Sequence, residues 1–149
     1  NVVKMMKFLM KVKGPYEVLE ESSKNRTMHE RFNQIEKKYQ KLLEKAKERF
    51  DDGSILYFQY SGDLSISSEL SNELSFLFPE KLIVVVYVSG MKANISIRGK
   101  GARRIIIDAI EGLKNSRGGG HEDAVGGQVN VDDLNEFKKR VFELAEKNM

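Results

Sequence analysis

The sequence predicts an α/β fold: a mixed β-sheet flanked by helices, preceded by an N-terminal helical arm with one long helix. Three observations lead there. Apolar residues recur at alternating steps of four and three from Met28 to Phe50, which is a helical period. The run LIVVVYV at 82–88 is continuously apolar, as suits a strand covered on both faces, and ANISIR at 93–98 alternates strictly.

The 149 residues make about one domain, and a chain of that length hides roughly two thirds of its unfolded surface. A composition of 40% hydrophobic and 32% charged residues is ordinary for a globular protein and argues against disorder. The absence of cysteine removes disulfides, thiolate nucleophiles and cysteine-based zinc sites together, and fits a reducing cytoplasm. No apolar run approaches the roughly 20 residues that span a bilayer, so no membrane association is expected. The opening stretch VVKMMKFLMKVK is interrupted by lysines and lacks the small-residue cleavage site of a signal peptide. Because the first residue is Asn1, the chain is expected to be part of something longer.

Gly14-Pro15 breaks the first apolar stretch, and proline suits a helix's first turn, so two short helices are predicted around it. Thr27 to Glu30 has the spacing of a capping box and should open the long helix. Along that helix Met28, Phe32, Ile35, Tyr39, Leu42, Ala46 and Phe50 form a heptad seam of about three repeats, a strip that wants a partner. Asp51-Asp52-Gly53 should end it, which places the boundary between a helical arm (1–50) and an α/β domain (51–149).

SILYFQY at 54–60 reads as a strand. Gly62-Asp63 predicts a turn and helix cap, with Ile66, Leu70, Leu74 and Leu77 on one helix face and Pro79 as its stop. Strands at 82–88 and 93–98 follow across a turn at Ser89-Gly90. Ile106, Ala109, Ile110 and Leu113 mark a further helix. After a glycine-rich loop, GQVNV reads as a last short strand. Asp132 or Asp133 should cap a final helix buried through Leu134, Phe137, Val141 and Leu144.

Charge is unevenly spread. Residues 1–50 carry 13 basic and 7 acidic side chains, a balance of +6 in a chain whose net charge is +3, so the remainder sums to −3. Lys92 to Arg117 nevertheless holds seven basic groups against Asp108 and Glu111. Both zones are places to look for a phosphate-bearing partner.

In the alternating strand, Asn94, Ser96 and Arg98 share one face. Either that face is solvated, or Arg98, just before Gly99-Lys100-Gly101, forks two phosphate oxygens. Arg103 and Arg104 stand in a helix's first turn, where the dipole disfavours cations, and a nearby anion would explain them.

The stretch 115–129 holds five of the twelve glycines and His121, one of two histidines. Gly118, Gly119 and Gly120 either form a nest of backbone N–H groups for an anion, with His121 at its rim to donate a hydrogen bond or assist proton transfer, or make a tight turn beside a helix. Tyr57, Phe58 and Tyr60 either stack on bases or fill the core.

Other motifs are excluded. No Gly-Lys-Ser/Thr follows the glycines, the run does not follow a strong strand as a dinucleotide fingerprint would, and no Gly-x-Ser-x-Gly occurs. His121, Glu122 and Asp123 are adjacent and rarely converge on a metal, and His29 falls on the polar side of the long helix. No metal site is expected in this chain.

The run Gly118-Gly-Gly-His121-x-x-Ala124-x-Gly126, preceded by a strand ending Asn94-Ile-Ser-Ile-Arg98, resembles the DHHA1 domain of the DHH phosphoesterase superfamily, with archaeal RecJ-like single-strand exonucleases the nearest in appearance. The resemblance covers roughly residues 54–146. It implies a substrate-binding role for Arg98, Gly118 to Gly120 and His121; the strand face and the basic residues add Asn94 and Ser96 beside them and Lys100, Arg103 and Arg104 as expected secondary phosphate contacts. It also implies a separate DHH domain holding two Mn2+ ions, a single-stranded DNA or RNA substrate, and replication proteins such as GINS as partners. The chain contains no Asp-His-His segment, so it is expected to bind and not to cut. Two alternatives stand beside this reading. One is an RNA module like the C-terminal region of alanyl-tRNA synthetase, which usually lacks a histidine directly after the glycines. The other is an interaction module, including a homodimer, formed through the heptad helix.

Overall fold

Alternating side-chain orientation sorts the sheet into two unlike faces, and that sorting positions the rest of the molecule. A computed structural model describes residues 1–50 and 53–147. Two compact units result, Asn1–Lys41 and Leu42–Met149. The expected boundary at Asp51 and Asp52 lies outside the described residues.

The first unit holds α1 (Val2–Leu9), α2 (Pro15–Leu19) and most of α3 (Arg26–Lys47). Pro15 opens α2 at its first turn as expected. Asn25, not Thr27, organises the start of α3. Its buried side chain accepts from the Ser22 backbone N–H at 2.8 Å and donates to the carbonyls of Val18 at 3.2 Å and Glu20 at 2.9 Å. Its own carbonyl accepts from Met28 and His29. Thr27 is therefore inside the helix and the capping box is not used. His29 is half-buried, with Nε2 2.9 Å from the Val18 carbonyl, rather than on a polar face. Phe32 of the predicted seam stays 59% exposed.

In the second unit, Leu43 and Ala46 of α3 are buried. There follow β1 (Ile55–Ser61), α4 (Ser67–Leu77), β2 (Leu82–Ser89), β3 (Lys92–Arg98), α5 (Ala102–Ile110), β4 (Arg117–His121), β5 (Ala124–Asn130), a 3-10 turn (Val131–Asp133) and α6 (Leu134–Lys147). The sheet order is β1-β2-β3-β5-β4. Crossing through α4 makes β1 and β2 parallel, and the other neighbours are antiparallel.

Ile55, Val84, Val86, Ile95, Ile97, Val125 and Val129 point to one face and form the core with Ile105 and Ile106 of α5 and Phe137 and Val141 of α6. The C-terminal stripe closes on Ala145, with Leu144 only half-buried. Leu113 packs on the core from beyond the end of α5. On the opposite face α4 packs over β2 and β3, and the Tyr60 hydroxyl accepts from the Ile66 backbone N–H at 2.9 Å. Gly62-Asp63 thus precede the helix without capping it, because α4 starts at Ser67. Phe58 and Tyr60 are buried, at 5% and 8% exposure, and belong to the core rather than to a base-stacking platform.

The largest departure from expectation is the glycine run, which is a strand and not a loop. Glu122 and Asp123 link β4 and β5 as a two-residue hairpin that sets Gly118 against Gly127 and Gly119 against Gly126. Sequence alone hid this because glycine is depleted in strands. Packing supplies the reason. A Cβ on Gly127 would lie 2.6 Å from Ile106 Cδ1 and 2.9 Å from the Arg117 carbonyl, and one on Gly118 would lie 2.9 Å from Ile106. These two glycines let α5 approach the sheet. Gly120 has φ +147 and a Cβ there would meet the Ala124 carbonyl at 2.6 Å. Gly119 has nothing within 4 Å.

Gly127→Ala is therefore expected to destabilise the fold by about 1–3 kcal/mol through overpacking, whereas Gly119→Ala should be neutral or stabilising by about 0.5 kcal/mol; urea denaturation of both variants checks the contrast. Burial beside Phe142 pushes the Tyr57 phenol up to about 12. Since the folded value lies above the unfolded one, its contribution to stability is complete below about pH 10. It is lost as pH rises from there through 12, and Tyr57→Phe should flatten that part of the stability profile.

Candidate nucleic-acid interface

The register brings five of the ten sequence-predicted residues, Asn94, Ser96, Arg98, Gly119 and His121, to one face of the sheet. Across three strands, Arg98 is level with Ala124 and His121, Ser96 with Gly126 and Gly119, and Asn94 with Gln128 and Arg117. Residues level with one another share a face, so all nine lie on the side of the sheet that α4 covers over β2 and β3. Beyond α4, over β5 and β4, that face is bare. Gly126 is exposed, and a Cβ there would meet only a carbonyl oxygen at 3.8 Å. An open depression lined by Asn94, Arg117, Gly119, Gly126 and Gln128 results.

Arg98 stands at one end of this strip. Its Nε donates to Asn72 Oδ1 of α4 at 2.7 Å and its Nη1 to the carbonyls of Ile97 at 2.9 Å and Val125 at 3.1 Å. Every partner is neutral. Among the described residues the guanidinium has no carboxylate partner and Nη2 has no acceptor. Burial holds its pKa below the usual arginine value, which marks a partly desolvated cation with spare donors. Arg117 stands exposed at the far end, four residues along the strand direction from His121, or roughly 13 Å. Between them the Gln128 amide donates to Asn94 Oδ1 at 2.8 Å.

Not every predicted residue joins this strip. Ser96 is buried under α4, with its hydroxyl 3.3 Å from that of Ser67, so it supports the strand instead of meeting solvent. Gly118 and Gly120 lack their side chains on the opposite face, where α5 lies. Lys100 lines a separate depression with Glu80, Lys81 and Ile105. Arg103 and Arg104 are on α5. There the chain supplies its own anion: Asp123 Oδ1 accepts from the Gly101 N–H at 3.0 Å, and the Glu122 carbonyl accepts from Arg103 N–H at 2.9 Å. Arg104 lies 3.6 Å from Asp108. The first turn of α5 thus has a carboxylate of the chain's own at its N-terminus, and Arg104 has an acidic neighbour, whereas Arg103 is engaged through its backbone N–H.

Sequence reasoning missed Arg117, Gln128 and Asn72. Reading Glu122-Asp123 as a hairpin would have found the first two, because the register follows from the turn. Asn72 carried no sequence signal, since its role depends on where α4 docks.

Chemically the strip offers guanidinium and amide donors, one exposed imidazole and bare backbone. Among the described residues no cluster of three or more His, Cys, Asp or Glu could hold a metal ion, so this donor set does not fit a manganese pair, which wants several carboxylates. Among them, too, no helix is long and apolar enough to cross a membrane.

Comparisons with known proteins place the fold. RecJ from Thermus thermophilus, solved with Mg2+, matches at a TM-score of 0.60 and 16% identity over 86% of this chain and 21% of RecJ. The same protein solved with Mn2+ matches at 0.57 and 15%, over 86% of this chain and 20% of RecJ. The C-Ala domain of Aquifex aeolicus alanyl-tRNA synthetase matches at 0.47 and 21%, over 64% of this chain and 90% of that domain. The chain thus spans about a fifth of the RecJ chains it matches. A search of curated protein sequences finds no match. The model of the DHHA1 domain matches residues 51–147, which take in the whole sheet, its helices and the bare strip, and the chain therefore belongs to the DHHA1 domain family.

Proposed function

We propose that this chain holds the sugar-phosphate backbone of a single nucleic-acid strand along the bare strip of β5 and β4, and so positions it for a phosphoesterase centre carried by a DHH domain. The observation that carries this reading is the facing pair Gly119 and Gly126, side-chain-free where packing does not require it, with a guanidinium at each end that has no carboxylate partner among the described residues. A partly buried cation with neutral neighbours is costly until an anion meets it. A phosphate at Arg98 would receive the Nη2 hydrogen bonds that no group among the described residues takes. A strip two strands wide, roughly 10 Å, suits one backbone. Contacts of this kind give affinity with little sequence preference.

His121, level with Arg98 at the hairpin end, is placed to donate a hydrogen bond to the same or the next phosphate. Manganese belongs to the DHH domain in this reading, where it would supply a metal-bound nucleophile and a clamp on the departing oxygen. The present residues grip and orient the strand and do not cleave it. The RecJ structures that share this fold were solved with Mn2+ and with Mg2+, which agrees with a metal-dependent centre elsewhere in such a protein.

Fluorescence anisotropy with a labelled single-stranded oligonucleotide tests the proposal. Binding should weaken as salt rises. Gly119→Glu, which places a carboxylate on the strip without touching the core, should lower affinity at least tenfold with little change in melting temperature. Arg98→Ala should cost about 1.5–3 kcal/mol of binding and make the salt dependence shallower by about 0.7 in log–log slope. Affinity untouched by both substitutions, or a clear preference for folded tRNA over single strands, overturns the reading. Incubation with Mn2+ should yield no cleavage by these residues.

A further inference from the structure

A second cationic surface lies in the first unit and is separate from the strip. Lys4, Lys7 and Lys11 follow one another at steps of three and four along and just beyond α1, and Lys24, from the turn before α3, joins them around one cleft. Along the helix axis the first three span roughly 10 Å. Phe8, half-buried, sits in the same cleft with Ser23. None of the four ammonium groups has a carboxylate within ion-pair distance among the described residues. The one acid in the cleft, Glu17, is already engaged, with Oε2 accepting from the Lys13 backbone N–H at 3.0 Å. Four like charges converging on one depression repel one another, and a polyanion relieves that repulsion.

We propose that this lysine cleft is a second nucleic-acid contact, taking the phosphates of a single strand along the Lys4, Lys7, Lys11 row, with Phe8 as a surface for a base. The row of cations along a helix matches a chain of regularly repeated phosphates, and an aromatic ring set among them matches the way single strands are held. The exposed Val2, Val3, Met6, Leu9 and Met10 are the residues that an anionic membrane would take, and none of them lines the cleft, which holds Phe8 and Ser23 among its lysines. The site stands independently of the strip on β5 and β4.

The test uses the full chain and a labelled oligothymidylate. In a Gly119→Glu background, where the strip is disabled, Lys4→Gln/Lys7→Gln/Lys11→Gln is expected to reduce the remaining affinity at least tenfold. The log–log salt slope should become shallower by about two, since each lost single-strand contact removes about 0.7. Arginine at the same three positions should retain binding, and circular dichroism should show an unchanged helix content throughout. Equal affinity and slope for the glutamine variant and its parent overturn the proposal. So does lysine-dependent binding to phosphatidylserine vesicles with no lysine-dependent binding to the oligonucleotide. If Gly119→Glu and Arg98→Ala both leave wild-type binding unchanged, the strip fails, and the lysine substitutions still report on the cleft alone.

Discussion

The close approach of α5 to the β4–β5 hairpin is the constraint on which the candidate surface depends. Ile106 lies against two glycines that face each other across the hairpin, Gly118 and Gly127, and a methyl group on either would collide with it. Interiors packed to crystal-like density leave no room for a compromise at such a contact. The helix is further tied down at its first turn. The hairpin tip accepts from the Gly99, Gly101 and Arg103 backbone N–H groups through Asp123 and Glu122. Helix and hairpin thus behave as one body, and the outer face of the hairpin inherits its rigidity from a contact on its inner face.

This arrangement divides the labour within a single glycine cluster. Gly118, Gly120 and Gly127 answer to packing and backbone geometry, whereas Gly119 and Gly126 answer to neither. A strand's period of two separates the two roles onto opposite faces. The same period explains why Arg98 points toward the open side. There α4 reaches it through Asn72 and fixes the guanidinium without neutralising it. Neutral acceptors orient a cation while leaving its charge for another partner; a carboxylate in place of Asn72 would have satisfied Arg98 and closed the site to anions.

The positive charge of the chain is distributed on the same logic. On α5 and α6 several cations have acidic neighbours: Arg104 lies near Asp108, and Arg140 sits 2.8 Å from Glu136, whose carboxyl it holds below the usual range. At the strip and in the lysine cleft the cations have no such ion-pair partner among the described residues. Paired surface charges contribute little to stability, and unpaired ones concentrated on a concave surface raise the local concentration of an anionic ligand.

Much of this protein was legible in its sequence. Branched and aromatic content at 54–60, a continuous apolar run at 82–88 and strict alternation at 93–98 marked strands that the structure places at Ile55–Ser61, Leu82–Ser89 and Lys92–Arg98, and period 3.6 marked the helices that bury Leu70, Ile106 and Phe137, because side-chain polarity follows burial at those positions. The Gly-Gly-Gly-His run with Arg98 marked the family for the same local reason. What the sequence by itself could not determine was the state of residues with no side-chain pattern. Glycines carry neither polarity nor volume, so Arg117–His121 read as a loop until its pairing with β5 made it a strand. Tertiary structure alone decided which glycines the fold requires, since that depends on where Ile106 comes to rest. It also decided that Ser96 is covered by α4, and that Arg98 keeps spare donors while Arg104 sits beside Asp108. Each of those outcomes rests on distances between groups far apart in the chain, and no local spacing encodes them.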